Sequence, residues 1–431
     1  MAEHSSQSLD ASTRAPQGTT SVTSSATAFI TRLSHANLAA QFSEQMTLAV
    51  IPIVAVIALG ATAEQTASLQ AATTLPFLLL SLPAGVLADR YRRKPLMIGT
   101  ELLRAAALLL LFALFQWHWL TLPTLGALGF AMATGTVVFG AAAPSLVAAL
   151  VDPAHLLVAN RRLELARSLA FTAGPALGGV IAGWASGAPA FAVAFALSLA
   201  SAACLARLPH EAPRAPSGRH FGKELADGVR FIAHNRYLRP IVATAFVFNT
   251  SWYLLLAVFA YYAIHSLGFT AQGVGIALGV YGFGMVCGAF GYARLARRLT
   301  FGRQILLGPM CAAFAAMLML ATLRLPSGIG RYAAVFGAFF LFGAGPIIWT
   351  ISTTSLRQIV TPGGLVARVS AVTMTATFGA RPLGAALGAW LAASFGPAAC
   401  LIGMACGFAI QLSIIATSPA ARLSSLEAAS A

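Results

Sequence analysis

Apolar residues in this chain come in long blocks separated by short polar breaks. A helix that crosses hydrocarbon needs about 20 apolar residues at about 1.5 Å each. Blocks of that kind lie at 37–59, 66–88, 95–115, 122–149, 164–185 and 188–206. After a polar stretch they resume at 239–263, 271–293, 303–323, 330–355, 366–393 and 397–417. The pattern predicts an all-α membrane protein of twelve transmembrane helices in two six-helix bundles. Residues 1–30 read as a disordered Ser/Thr/Ala-rich tail, 31–206 as the first bundle, 207–238 as a linker, 239–417 as the second bundle and 418–431 as a tail. The linker contains Pro209, Pro213 and Pro216 and then a charged stretch, Lys223 to Ile232, that reads as an interfacial helix lying along the membrane surface.

Composition agrees with the blocks. The chain is 58% hydrophobic and 9% charged, against roughly 25% charged for a soluble domain, so lipid must solvate most of it. The net charge of +15 does not point to nucleic acid, because the cations sit in short connections between apolar blocks. Connections after spans 2, 4, 6, 8 and 10 carry Arg or Lys, among them Arg92, Arg161, Arg297 and Arg357, whereas those after spans 3, 5 and 11 carry none. Only the connection after span 9, with Arg324 and Arg331, departs from this alternation. By the positive-inside rule both termini are cytoplasmic, in a bacterial-type inner membrane. Trp117 and Trp119 then suit an aromatic anchor at the outer interface. The first 27 residues lack a basic region followed by an apolar run, so no cleavable signal is expected. Cys204, Cys287, Cys311, Cys400 and Cys406 all fall in apolar blocks without CxxC spacing, and they read as packing residues, not metal ligands.

The halves echo one another at an offset of about 207 residues: Gln65 with Gln272, Arg161 with Arg368, and Gly174-Pro175 with Arg381-Pro382. Parallel repeats about an axis normal to the membrane build several transporter folds, and they favour alternating access.

The segment from Gly85 to Pro95, with Asp89, Arg90, Arg92, Arg93 and Lys94, places a glycine at the end of span 2 and a compact charged hinge after it. It resembles the loop motif between spans 2 and 3 of the major facilitator superfamily, departing from it at Arg92, where a glycine is usual. The resemblance implies that Gly85 allows close helix contact, that Asp89 faces the N-terminus of span 11, and that Arg90 or Arg93 pairs with Asp152. Together with Lys94 these residues would form a cytoplasmic gate. The matching loop after span 8 keeps Arg294, Arg297 and Arg298 but has no acid.

In span 5, Gly174, Pro175, Gly178, Gly179 and Gly183 give a small-residue face for a close helix neighbour and a bend at the proline. The run resembles the helix-5 motif of drug/proton antiporters in the same superfamily, which favours export over uptake. The arginine that many antiporters carry in span 4 is absent, since residues 124–149 contain no charge. Over residues 30–420 the chain looks like the subgroup that contains the enterobactin exporter and macrolide efflux proteins. That resemblance implies a proton-driven carrier with no bound cofactor, functional as a monomer in the bilayer, moving a small amphipathic molecule of the drug or siderophore class.

Charges inside spans are expensive unless paired or wetted. Glu44 in span 1 has no local partner, which makes it the leading proton-coupling candidate; the alternatives are a structural bridge to Arg104 or a headgroup-level position. Glu101 and Arg104, at i and i+3, either neutralise each other or take part in coupling. Arg381, in mid-span 11, binds an anionic group of a substrate or holds a carboxylate across the bundle. Asn249, Trp252 and Tyr253 share a face of span 7. With spans 1, 4, 7 and 10 lining the cavity of such a fold, these residues and Trp349 are substrate contacts, unless they simply pack. His118, His155 and His265 lie near span ends or in loops.

Other classes lack their chemistry. There is no P-loop for an ATP-driven subunit, and neither a G-x-S-x-G elbow nor an H-E-x-x-H pair for an intramembrane hydrolase. Uptake by symport and a non-transporting sensor of the same fold are the competing readings.

Overall fold

The computed structural model describes residues 19–150, 156–184, 187–209 and 221–426. It is helical almost throughout. The first bundle comprises α1 (Thr19–Ile57), α2 (Ala63–Leu79), α3 (Ser81–Arg90), α4 (Arg93–Gln116), α5 (Leu122–Leu150), α6 (Leu156–Trp184) and α7 (Ala188–Ala206). The linker helix α8 (Phe221–His234) follows. The second bundle comprises α9 (Leu238–Tyr261), α10 (Ala271–Ala296), α11 (Phe301–Ala321), α12 (Ile329–Val360), α13 (Val366–Phe395) and α14 (Pro397–Ala416).

Among the described residues, ten helices are long and apolar enough to cross a membrane. The other two expected spans are the α2–α3 pair and α13. Span 2 breaks at Leu80 because Pro83 has no N–H for the Leu79 carbonyl four residues back and its ring crowds that carbonyl; the Leu80 N–H keeps its ordinary helical bond to the Pro76 carbonyl at 2.8 Å. α13 is 30 residues long but carries Arg368, Arg381 and several threonines. Large apolar side chains such as Leu109 and Leu110 on α4, Phe314 and Met317 on α11 and Ile402 on α14 are exposed on the outside. A surface of that kind is stable only against lipid. Trp117 and Trp119 are 65% and 69% exposed beyond the end of α4.

Two tail assignments change. α1 begins at Thr19, inside the segment read as tail, because extending an established helix costs far less than nucleating one. At the other end, the chain after Ser418 docks on α11: the Phe301 and Gly302 N–H groups donate to the carbonyls of Ser424 (3.3 Å) and Leu423 (2.8 Å). Those are first-turn donors that a helix cannot satisfy internally.

In the first bundle α1 packs on α6 and α7, and α4 on α5 and α7; in the second, α9 packs on α13 and α14, and α12 on α10 and α11. The bundles meet along two seams, α6 with α10 and α2 with α13. The repeat pairs α2 with α10 and α6 with α13, so each seam is the pseudo-symmetric counterpart of the other. One continuous core cluster joins the bundles at the end where α1 leads into α2, with Val54, Leu69, Phe259 and Val274 among its members. Toward the end that holds the start of α1 and the close of α14 the cores are separate. Leu33, Met97, Leu146 and Leu205 belong to one, and Ile241, Ile305, Leu356 and Ile415 to the other. The molecule is therefore sealed at one end and divided at the other.

Candidate transport cavity

Between the bundles lies a cavity of about 210 Å³. α1 supplies Glu44 and Gln45, α2 Gln70, Thr73 and Phe77, α9 Asn249, Trp252 and Tyr253, α10 Tyr281, and α13 Arg381. Its lining comes from the helices of the two seams together with α1 and α9. Spans 4 and 10, expected as lining, do not reach it, because the bundles lean together at the sealed end and the seam helices close around mid-depth. α5 instead borders a small pocket inside the first bundle, beside Glu44 and Arg104.

Pro52 lies inside α1 about two turns beyond Glu44, and the Glu44 side chain is 17% exposed into this space. Its Oε2 lies 3.7 Å from Arg104 Nη2. Arg104 is almost fully buried and donates to Glu101 Oε1 at 2.6 Å and to Thr136 Oγ1 at 2.8 Å. Glu101 is fully buried, with the Ser198 and Ser201 hydroxyls nearby. Three of the four charged candidates thus form one cluster in which a single arginine sits between two carboxylates. The i, i+3 pair is close and dry; the contact to Glu44 is longer and faces the cavity.

Arg381, the fourth, stands on the opposite wall. Its guanidinium lies over the rings of Phe378 (4.3 Å), Phe77 (4.8 Å) and Tyr253 (5.2 Å). Phe77 belongs to the first bundle, so this cage bridges the α2–α13 seam. Arg381 makes no ion pair among the described residues; Glu44 lies within electrostatic range of it, beyond contact distance.

Of the expected substrate contacts, Asn249 and Tyr253 line the cavity. Trp252 does so mainly as packing, 6% exposed and stacked on Tyr281 at 4.8 Å between centroids. Trp349 is displaced from the expected place. It packs at the α11–α12 crossing, where a Cβ on Gly308 would lie 2.5 Å from its own, and it lines a second cavity of about 330 Å³ walled mostly by the second bundle, with Arg167 of α6 on the other side. Phe248, Asn249 and Tyr281 border both cavities. Gln45, Gln70, Thr73, Phe77 and Tyr281 were not anticipated. Gln70 and Thr73 interrupt an apolar block on one helix face, which is the trace the sequence carries of them.

The charged loop is arranged differently from the expected gate. Lys94 is buried and its Nζ donates to the carbonyls of Ala206 (2.9 Å) and Leu208 (2.5 Å). It clamps the start of α4 to the end of α7 within one bundle, because the open carbonyls at a helix C-terminus attract a cation. Arg93 is buried as well, while Arg90 is exposed. Gly85 makes no close contact: a Cβ there would meet no atom within 4 Å, although α3 packs on α5 through its buried face, with Ala84 and Ala88. The Asp89 side chain and Asp152 lie outside the described residues.

The helix-5 glycines face two helices, not one. Gly174 and Gly178 abut α1, with built Cβ atoms 2.8 Å from Gln45 Cβ and 3.1 Å from the Met46 carbonyl oxygen. Gly179 and Gly183 cross the seam to α10, where a Cβ on Gly179 would lie 2.7 Å from Gly275 Cα. Positions five apart are about 140° apart around a helix, so the two pairs address opposite neighbours.

No curated protein matches this chain. Solved structures match its fold over most of their own length. The nucleoside transporter NupG is 10% identical, with 90% of this chain and 97% of that one covered and a TM-score of 0.71. A bacterial homologue of the iron transporter ferroportin, in an inward-facing state, is 15% identical over 90% and 97%, with a TM-score of 0.70. A bacterial homologue of the human lysosomal transporter Spinster, inward-facing and unoccupied, is 15% identical over 94% and 97%, with a TM-score of 0.65. At these identities the likeness is one of fold, the major facilitator fold. A family model described as transmembrane secretion effector matches residues 27–431, and the chain belongs to that family, a membrane transporter family of the major facilitator superfamily.

Proposed function

We propose that the protein is a secondary transporter that exports a small amphipathic molecule in exchange for protons, by alternating access of the cavity between the two bundles. The carrying observation is the Glu44–Arg104–Glu101 cluster. One guanidinium balances one carboxylate, and Glu101 at 2.6 Å holds it more closely than Glu44 at 3.7 Å. Glu44 is the surplus acid and the one the cavity reaches, so it is the group that gains and loses a proton as access alternates. Protonation weakens its hold on Arg104 and changes the balance of charge facing Arg381.

Export, in preference to uptake, is supported by the antiporter-like glycine-proline run in α6 and by the family's description as secretion effectors. The alternation of cationic connections supports an orientation with the termini, and the divided end of the molecule, on the cytoplasmic side of an inner membrane. The conformation is then inward-facing. The charged loop, with Asp89, Arg90 and Asp152, serves as the gate that assembles when the divided end closes. Drugs and siderophores are the substrate class to test first, on the resemblance to that exporter subgroup.

A deletion strain compared with its parent for siderophore secretion and for sensitivity to amphipathic drugs identifies a substrate. Glu44→Gln is then expected to bind that substrate and to lose proton-driven efflux in everted vesicles. Normal efflux from this variant removes Glu44 from coupling.

A further inference from the structure

Between Gly228 and Leu426 the chain contains no Asp or Glu, while arginines recur throughout. The second bundle therefore cannot neutralise any of its own cations. Two of them face cavities. Arg381 lies in the central cavity and Arg357 in the adjoining one; neither makes an ion pair among the described residues. Each keeps a buried Nε without a hydrogen-bond partner, as do Trp349 Nε1 and Gln411 Oε1 beside Arg357. No carboxylate lines the second cavity, and the one that lines the first, Glu44, is engaged with Arg104. Phe248, Asn249 and Tyr281 are common walls, so the chamber beside Arg357 adjoins the central cavity between the bundles. Arg381, in the middle of α13, is costly in an apolar cavity until an anion joins it; Arg357, half-buried in the last turn of α12, stands at the divided end, where an entering anion meets it first. Aromatic rings on several sides of Arg381 offset part of that cost and leave a lining suited to a flat apolar body.

Resting on the transport reading above, we infer that the substrate is an amphipathic organic anion, a carboxylate or its equivalent on an aromatic or apolar frame. It is received near Arg357 in the second bundle and passed to Arg381 in the central cavity. The division of labour is by bundle: the first carries the titrating carboxylates and the second the receptor for negative charge. Glu44 then has a second role, as the anion that competes for the field of Arg381 when no substrate is bound.

The test uses the full chain in nanodiscs and three matched probes: para-butylbenzoate, its primary amide, and the corresponding aryl trimethylammonium. Binding is read by tryptophan fluorescence. In the wild type the carboxylate is expected to bind about tenfold more tightly than the amide, the size of one charge-assisted contact, and the ammonium not to compete. Arg381→Gln should abolish that preference while the amide still binds, and Arg381→Lys should retain part of it. Arg357→Gln should slow carboxylate association and leave the amide unaffected. Equal binding of the three probes, or a preference that survives Arg381→Gln, overturns the inference. That outcome alongside proton-driven efflux that still depends on Glu44 leaves the transport reading standing. The reverse combination, anion preference without proton dependence, overturns the coupling and not the substrate class.

Discussion

At the scale of single residues, the cluster around Arg104 makes unequal demands on its members. Removing the arginine strands two acids, one fully buried and one partly so, and uncompensated buried charge costs about 3–5 kcal/mol. Arg104→Gln is therefore expected to lower the thermal midpoint in detergent by many degrees. Glu44→Gln leaves the close Arg104–Glu101 pair intact, so no buried charge is left uncompensated, and it should lower the midpoint much less than Arg104→Gln. Equal midpoints for the two variants would contradict the shared-arginine geometry. These charges were legible in the sequence because an ion inside an apolar block is conspicuous. Tyr281, Gln70 and Phe77 were not, since neutral polar and aromatic residues populate any helix and only the packing tells which of them face a cavity. Trp349 lines the adjoining cavity and not the central one: its position on span 10 was visible, but not which side of α12 its ring occupies.

At the scale of helices, glycine spacing was easy to see and its partners were not. Two overlapping four-residue spacings looked like one face, yet a five-residue step turns them apart, toward α1 on one side and α10 on the other. The seam is the more demanding contact. Gly179→Val places atoms where Gly275 and the Ala271 carbonyl already sit, and it is expected to abolish transport and to destabilise the protein by several kcal/mol, beyond the roughly 1–3 kcal/mol of ordinary overpacking. Gly85→Ala is the contrasting case. It meets open space in this conformation and gains up to about 1 kcal/mol in helix propensity, so its thermal midpoint should rise or hold. If its transport falls while its midpoint holds, the glycine is needed in the closed form of the gate. Lys94 was read into that gate because a cationic loop motif does not say which neighbour its cations will find; the end of α7 supplied two bare carbonyls within reach.

At the scale of the whole molecule, the hydropathy blocks and the offset repeat disclosed the two bundles, while their mutual posture came only from the cores. One cluster spans both bundles at the sealed end and separate clusters serve the other. A cysteine pair at Gly183→Cys and Gln272→Cys, where a Cβ on the glycine would lie 2.8 Å from the Gln272 side chain, should cross-link readily once the five native cysteines are replaced. The cross-linked protein should be arrested with its pocket accessible to a water-soluble thiol reagent only from the divided end. Labelling of a cavity cysteine from the sealed end after cross-linking would show that the seam is not the barrier.

The two seams began as equivalent halves of one duplicated plan and no longer behave alike. Backbone lies on backbone where Gly179 meets Gly275, with no room for a methyl group, whereas at the opposite side a guanidinium and three rings occupy the joint. On the alternating-access reading proposed above, the glycine edge leaves no slack and would hold the bundles in register, so the rearrangement of each cycle is expected at the rings around Arg381, where side chains fill the joint instead of backbone.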